Sequence, residues 1–267
     1  MDKATWSGVV LGVGGLLGGL LLEGGRVSQV VQPTAAMIVF GGTAGAVLIQ
    51  FPLPVVGQAM RYLARVFFQP KQDPQATVQE LVRYANQARR SGIVSLDAEL
   101  EHIEEPLLRK CLMLAVDGTE PQELRNIMEL DMENQAEREE KIPQVFESAG
   151  GFSPTIGIIG AVMGLIQVMQ HLDKIDDVGR GIAVAFVATI YGVGSANLFL
   201  LPSAGKLRIR IREEQIVREM TLEGVVSILE GMNPRILETK LLGFLAEGQS
   251  TKEDPGADGA ISHAAGL

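Results

Sequence analysis

The chain has 267 residues, 46% of them hydrophobic, with 31 glycines and a net charge of −9 at pH 7. The acidic balance argues against nucleic acid as a partner, because binding to phosphates requires a basic surface. One cysteine, Cys111, excludes an internal disulfide, and its place on an apolar helix face favours a buried thiol. The histidines, His102, His171 and His263, lie far apart, so we expect neither a metal site nor a cofactor.

Two apolar segments near the N-terminus predict transmembrane helices. Residues 4–22 and 34–51 are each long enough, at about 1.5 Å per residue, to cross a hydrocarbon layer of about 30 Å. The first segment has no small-residue cleavage site, so we expect a retained helix and not a signal peptide. Its glycines recur on one helical face, at Gly8, Gly12, Gly15 and Gly19.

The polar residues that follow predict a helical domain. Residues 55–67 alternate apolar and basic positions at helical spacing, which suits a helix near the bilayer surface. Asp73 can cap a helix that begins at Pro74, and Gly92 would end it. We expect another helix over 96–116, and then a long helix that opens at a capping box, Thr119 to Gln122, and leads to the membrane. No strand pattern occurs.

Two further apolar segments, 150–170 and 181–202, complete four predicted spans and contain no Asp, Glu, Lys, Arg or His. Small residues line one face of each, which allows close approach of another backbone in lipid. Pro154 removes one helix hydrogen bond. With the polar Thr155 and Thr189, it favours a lined pathway over simple helix packing. The small residues are Gly157, Gly160 and Gly164 in the third span, and Gly181, Ala185, Ala188, Gly192 and Ser195 in the fourth.

These patterns predict an all-α membrane protein with four transmembrane helices, a helical cytoplasmic domain between spans 2 and 3, and a C-terminal cytoplasmic helix. The expected segments are 1–52 for spans 1 and 2, 53–149 for the cytoplasmic domain, 150–203 for spans 3 and 4, 204–247 for the C-terminal helices, and 248–267 for a disordered tail rich in Gly, Ser and Asp.

Basic residues predict the orientation. The short loops 23–33 and 171–180 hold three of the 23 Lys and Arg residues, whereas 53–149 holds eleven and 204–247 holds seven. We therefore expect both termini and both large polar segments in the cytoplasm.

The predicted spans lack an acid. A proton pathway through lipid needs a titratable group that binds and releases the proton. Because the spans contain none, either the chain moves no protons or a partner supplies the acid. The faces of small residues favour a partner, since we expect them to leave room for a foreign helix.

Charged side chains of opposite sign flank the predicted turn at Gly92. Basic residues close the helix before it, and acidic residues crowd the segment after it. A solvated surface and a docking surface are both compatible with this pattern. The residues are Arg83, Arg89 and Arg90, followed by Asp97, Glu99, Glu101, Glu104 and Glu105.

Five motifs together resemble the A subunit of bacterial flagellar stators, the MotA/PomA family, over nearly the whole chain. They are GG at 24–25 with QP at 32–33 and GG at 41–42, ARRSGIVSLD at 88–97, GGFSPTIGIIGAVMGLI at 150–166, GIAVAFVATIYGVGSANLFLLPSAGKL at 181–207, and GMNPRILETKLLGFL at 231–245.

The resemblance implies a function, an assembly and partners. It implies a stator subunit in the inner membrane that couples proton flow to torque on the flagellar rotor. The A subunits would form a ring of five around two MotB-like B subunits, each bringing one transmembrane aspartate. The rotor switch protein FliG would be the second partner. The extended motif at 157–166 is also similar to the ExbB/TolQ relatives, but those have one span before their main cytoplasmic part, whereas this chain has two.

The resemblance also implies roles for single residues. Pro154 and Pro202 match the two family prolines tied to ion flow and torque, and Thr189 matches the pore threonine of the fourth span. Thr155 is a further pathway candidate from the pattern of polar residues. Ala161 stands where sodium-driven members tend to have threonine, so protons are the expected ion.

At the rotor interface, Arg89 and Asp97 match the family's cytoplasmic arginine and acid. Asp97 replaces the usual glutamate, and Arg90 is an adjacent alternative to Arg89.

Three other classes of function remain to be weighed. A substrate transporter would need a binding pocket within a larger set of spans. A membrane scaffold would share the packing faces and conduct nothing. An enzyme is the least favoured, because no nucleophile, base and orienting group can be assembled, so we assign no catalytic residue.

Overall fold

The computed structural model describes residues 3–68, 73–173 and 175–253, and this part of the chain is helical without any β-strand. The predicted all-α class is therefore confirmed. The helices form two compact units. The membrane unit comprises Met1–Pro70 and Arg138–Arg210, and the polar unit comprises Lys71–Glu137 and Ile211–Leu267.

Four helical segments are long and apolar enough to cross a membrane, as predicted. Span 1 is α1 (Lys3–Leu22). Span 2 consists of α2 (Pro33–Ala36), a π-helical segment (Met37–Gly41) and α3 (Gly42–Gln50). A short helix, α4 (Leu53–Phe68), follows.

The helix predicted after Asp73 is α5 (Pro74–Ser91). The Asp73 carboxylate accepts a hydrogen bond from the Gln75 amide at 3.0 Å and so caps the first turn. Gly92 ends the helix with a φ of +81°, in the left-handed region that favours glycine.

The helix predicted over 96–116 begins ten residues later than expected. Its first part is a 3-10 segment (Ile93–Glu99), and α6 runs only over Pro106–Val116. The reason is Pro106, which has no N–H and disfavours the α conformation in the residue before it. Glu105 instead caps α6, because its carboxylate accepts a hydrogen bond from the Leu108 amide.

Two long helices contain spans 3 and 4. Span 3 is the end of α7 (Pro121–Gln170), which continues through both Pro143 and Pro154. Span 4 begins with α8 (Ile175–Ser195) and passes through a second π-helical segment (Ala196–Leu200) directly into α9 (Leu201–Leu229).

The last helix is α10 (Pro234–Glu253), capped by the Asn233 side chain, which accepts the Arg235 amide at 3.0 Å. It continues five residues beyond the expected start of the tail at 248, where no proline interrupts it before Pro255. The rest of the predicted tail lies outside the described residues.

The polar unit is built around an apolar core between α5, α6, the first part of α7, α9 and α10. Cys111 is fully buried in this core, and burial raises the pKa of its thiol to about 12, which confirms an inert cysteine. The largest fully buried side chains of the core are Tyr84, Leu81, Leu96, Leu108, Leu112, Leu124, Met128, Met220, Leu237 and Leu241.

Glu223 on α9 joins three helices of the polar unit. Its carboxylate accepts from Arg125 of α7 at 2.7 Å and from Lys240 of α10. Burial alone would raise its pKa, but the hydrogen bonds from Lys240 and Arg125 outweigh burial and hold the Glu223 pKa below its ordinary value.

Within the membrane unit, spans 3 and 4 approach through their glycines. A Cβ added at Gly157 would lie 2.9 Å from the Ala188 carbonyl oxygen, and one at Gly164 would lie 2.7 Å from the Gly181 carbonyl oxygen. One at Gly192 would lie 2.6 Å from the Ser153 carbonyl oxygen. These backbones are in direct contact along two to three helical turns, which only glycine permits.

We predict that Gly164→Ala destabilises the membrane unit by about 1–3 kcal/mol, because its methyl group must displace the span 4 backbone. Gly45→Ala is the matched control, since a Cβ added at Gly45 meets no atom within 4 Å. This control should be neutral or stabilising by up to about 1 kcal/mol, because alanine favours the helix. Thermal unfolding in detergent measures both, and equal stability of the two variants would contradict close backbone packing.

We predict that Glu223→Gln lowers the stability of the polar unit by about 1–3 kcal/mol at neutral pH, because two cations lose their charged acceptor. Glu129→Gln is the control, since Glu129 pairs with the same Arg125 at 3.7 Å from a half-exposed position. It should cost less than about 0.5 kcal/mol.

The Glu223 contribution should also depend on pH. Because its folded pKa lies below the ordinary value of 4.5, the contribution is complete above pH 4.5 and is lost as pH falls through the folded pKa. The stability difference between wild type and Glu223→Gln should therefore shrink below pH 4.5 in urea unfolding. A constant difference would exclude ionisation as its cause.

Candidate ion pathway on spans 3 and 4

The contact between spans 3 and 4 brings two of the predicted site residues together. A Cβ added at Gly192 would lie 3.2 Å from the Cα of Pro154, and one at Gly157 would lie 3.5 Å from the Cα of Thr189. Pro154 and Thr189 therefore occupy facing turns of the two helices. This is the point where the sequence predicted a lined pathway.

The glycine faces do not leave room for a foreign helix, contrary to our expectation. Gly157 and Gly164 of span 3 pack on Ala188, Gly181 and Gly192 of span 4, so each face is filled by the other span of the same chain. The sequence pattern shows that a close partner exists, but it cannot say which helix that partner is. A helix from another protein must therefore meet a different face of this pair.

Two threonine hydroxyls lie beside this helix contact, Thr155 on span 3 and Thr189 on span 4. Thr155 is exposed, and its hydroxyl donates to the Phe152 carbonyl at 2.7 Å. Thr189 is half-buried and donates to the Ala185 carbonyl at 3.2 Å. Because each proton is engaged in its own helix, each oxygen can only accept a further hydrogen bond or coordinate a cation.

Pro154 supplies a second acceptor in the same turn. It has no amide proton, so the hydrogen bond that an α-helix would form from residue 154 to the Gly150 carbonyl is missing. In hydrocarbon such a carbonyl requires another donor or water. The turn at Pro154 and Thr155 is therefore rich in acceptors and contains no charge.

The other two predicted pathway residues lie at different levels of the helix pair. Ala161 is half-buried on span 3, about 10 Å along the helix from Pro154. Pro202 is exposed at the beginning of α9, about 20 Å along the helix from Thr189. The structure thus brings Pro154, Thr155 and Thr189 together and separates Ala161 and Pro202 from them.

A serine pair beside Pro154 was missed by the sequence interpretation. Ser153 is fully buried, and its hydroxyl lies 2.7 Å from that of Ser195 on span 4. Midway along span 4, Tyr191 donates to the Val30 carbonyl at 2.6 Å and accepts from the Gln32 amide at 3.2 Å. The only signal for the serines in the sequence was the position of Ser195 on the small face.

The predicted rotor-interface residues lie in the polar unit, on either side of Gly92. Arg89 and Arg90 are exposed in the last turn of α5, and Asp97 is exposed in the 3-10 segment that follows. None of these three side chains forms an ion pair with another described residue. They present both signs of charge to solvent.

Arg83 differs from the other basic residues of this cluster. It pairs with Glu99 at 3.5 Å and Glu80 at 3.9 Å, and its guanidinium lies 4.8 Å from the centre of the Tyr84 ring. Burial, together with a hydrogen bond to Glu80, raises the pKa of Tyr84 to about 12. Arg83 is therefore engaged within its own unit although its side chain is 57% exposed, whereas Arg89, Arg90 and Asp97 form no such pair with a described residue.

Among the described residues, no three His, Cys, Asp or Glu side chains are grouped so that they could hold a metal ion. The arrangement offers neutral acceptors on spans 3 and 4 and exposed charges beside Gly92.

Comparison with known proteins identifies the family. Residues 99–220 match the model of the MotA/TolQ/ExbB proton channel family, and residues 6–92 match that of the motility protein A N-terminal region. The chain is 36% identical to motility protein A of Bacillus subtilis, over 92% of this chain and 91% of that protein. It is 30% identical to the chemotaxis protein PomA of Vibrio alginolyticus, over 95% and 99% of the two chains.

A solved structure gives the same result. The chain is similar to one from the flagellar MotAB stator complex of Bacillus subtilis, with a TM-score of 0.83, 34% identity and coverage of 95% of this chain and 100% of the other. Together with the four spans, these similarities show a multi-pass protein of the inner membrane. The chain belongs to the MotA/PomA family of flagellar stator A subunits.

Proposed function

We propose that this chain assembles with a MotB-like B subunit into a flagellar stator that couples proton flow across the inner membrane to torque on the rotor. The observation that carries the proposal is the turn at Pro154, Thr155 and Thr189, where neutral acceptors collect in two spans without any titratable group. Such a surface can accompany a proton carrier but cannot replace one.

The missing carrier is a transmembrane aspartate of the B subunit. A lone carboxylate in hydrocarbon is costly, whereas its protonated form can donate a hydrogen bond. The hydroxyl oxygens of Thr155 and Thr189 and the Gly150 carbonyl are acceptors that a protonated carboxyl group could use. Proton binding would thus let the aspartate pass along spans 3 and 4, and proton release would fix it at a hydrated position.

Assembly follows from the same need. The glycine faces are filled within the chain, so the B subunit must contact the outward face of spans 3 and 4. A ring of copies, five as the family resemblance implies, would turn these faces toward B subunits at its centre. In this arrangement residues 150–203 line the pathway.

The driving energy is sufficient for mechanical work. One charge crossing a potential of 100 mV releases about 2.3 kcal/mol. Several protons in succession can therefore supply a rotation step of several kcal/mol. Ala161, which stands where sodium-driven relatives tend to carry threonine, favours protons as the coupling ion.

Torque would reach the rotor through the exposed charges of the polar unit. We place both termini and the polar unit in the cytoplasm, because basic residues are concentrated there and not in the short loops. Arg89 or Arg90, together with Asp97, would contact charges of opposite sign on the rotor switch protein FliG. Residues 53–149 would carry this contact, and residues 204–247 would complete the polar unit's core. The protein acts as a channel subunit, and we assign it no catalytic group.

A TolQ- or ExbB-like role in another envelope process is the second candidate, since the proton channel family includes those proteins. The motility protein A match over residues 6–92 and the two spans before the polar unit favour the stator.

We predict that Pro154→Ala and Thr189→Val leave assembly intact and reduce swimming speed several-fold. The first change restores the helix hydrogen bond from residue 154. The second replaces the Thr189 hydroxyl, an acceptor, by a methyl group of similar size. Thr189→Ser is the matched control and should retain most of the motility, because it keeps the hydroxyl. Swimming speed and acidification of cells that co-express the B subunit measure the effect. Full motility in both variants would refute the pathway assignment.

We predict that Asp97→Lys abolishes swimming while leaving proton influx unchanged, because it reverses a charge in the rotor contact and lies outside the pathway. Parallel Arg89→Glu and Arg90→Glu variants identify the basic partner: the contacting arginine should show the larger loss. Arg109→Glu, an exposed charge on α6, is the control and should swim normally. If all four variants swim alike, this surface does not contact the rotor.

A further inference from the structure

A cavity of about 810 Å³ lies inside the membrane unit, between α1 and the other spans. It extends from Leu20 and Val30 at one end of the spans to Val56 and Met60 at the other, so it follows the length of the helices. Nearly all its lining side chains are apolar. The cavity has the volume of a small-molecule site, which is typically about 300–1,000 Å³.

The shape of the cavity selects its occupant. The cavity follows span 2, which is about 27 Å long at about 1.5 Å per residue and so matches most of a hydrocarbon layer of about 30 Å. Water is disfavoured because the walls are apolar. A single hydrocarbon chain fits the shape.

The cavity wall includes irregular helical backbone. Both π-helical segments contribute to its wall, through Phe40 in span 2 and through Leu198 and Phe199 in span 4. Such widened turns often occur at functional sites. On the opposite wall, no α1 side chain is buried over residues 4–22, and among the glycines of α1 only Gly12 has a neighbour that an added Cβ would touch, Leu198.

One polar group in the wall lacks a partner. Thr43 is 7% exposed, and its Oγ1 has no hydrogen-bond partner among the described residues. Thr189 donates to the Ala185 carbonyl four residues before it, whereas the Thr43 hydroxyl forms no such bond within its own helix. A buried hydroxyl in hydrocarbon is costly without a partner, so a ligand that supplies an acceptor oxygen to the Thr43 hydroxyl would be favoured.

We propose that this cavity binds one chain of a membrane lipid that bears a carbonyl oxygen, a fatty acyl ester, with the Thr43 hydroxyl donating to that oxygen. The apolar walls hold the hydrocarbon, and the lipid fills the gap between α1 and the rest of the unit. The bilayer itself supplies the ligand. Ser153 and Ile190 line this cavity, whereas their neighbours Pro154 and Thr189 do not.

The test uses the full chain in its native oligomer, purified in detergent, and a photoreactive oleoyl ester that carries a diazirine on its chain. We expect labelled peptides to cover α1 around residues 13–20 and span 4 around residues 194–200. Labelling that is absent from the oligomer, or confined to surfaces outside the cavity, would overturn the proposal. It would show that a neighbouring copy or nothing at all occupies the space.

Two glycine variants control for the cavity itself. Gly194 lines the cavity and Gly45 does not, and a Cβ added to either meets no atom within 4 Å. Gly194→Leu should fill the cavity and reduce labelling of these peptides at least about fivefold, whereas Gly45→Leu should leave it unchanged. Similar labelling of both variants would contradict binding inside the cavity.

Thr43→Val tests the carbonyl. Methyl oleate and 1-octadecene are matched competitors that differ in the ester group. In the wild type, methyl oleate should displace the probe about fivefold more effectively, as one hydrogen bond allows. In Thr43→Val the two competitors should be equal. Equal competition in the wild type would refute the role of Thr43.

Discussion

Direct backbone contact between spans 3 and 4 is the constraint on which the membrane unit depends. Gly157, Gly164 and Gly192 approach the opposite helix so closely that a methyl group at any of them would meet backbone atoms within 3 Å. In lipid there is no hydrophobic gain from bringing two apolar helices together, so this contact relies on close packing. It fixes the level of Pro154 against Thr189 and so creates the acceptor-rich turn.

That contact also determines how the protein works with others. Because the two glycine faces are used within the chain, we propose the remaining outward face of spans 3 and 4 as the surface for a B subunit. This face has hydroxyl and carbonyl acceptors and no charge. A carboxyl group that gains and loses a proton would be bound in its neutral form and expelled in its ionised form. The family membership of the chain agrees with a neutral surface on this chain and a carboxyl group supplied by the partner.

The polar unit is stabilised by different interactions from the membrane unit. Its helices are joined by a large apolar core and by Glu223, whose two cationic partners come from α7 and α10. Arg83 contacts Glu80, Glu99 and Tyr84. It differs in this from Arg89, Arg90 and Asp97, which form no ion pair with a described residue. The unit thus has a packed core and exposes Arg89, Arg90 and Asp97 on either side of the turn at Gly92. Exposed charges on a rigid support can transmit force to a complementary surface.

The sequence by itself determined the local features of this protein. The four spans, the cap at Asp73, the stop at Gly92 and the burial of Cys111 depend on hydropathy, capping and helical spacing, which act over a few residues. The start of α6 at Pro106 could also have been predicted from the sequence, because proline favours the first turn of a helix, although we expected the helix to begin at residue 96. Only the tertiary structure decided which surfaces meet. It paired the two glycine faces with each other, placed Ser153 against Ser195, and left Thr43 beside a cavity under α1. These contacts join residues far apart in the chain, and a pattern of small or polar residues states that a neighbour is close without stating which one.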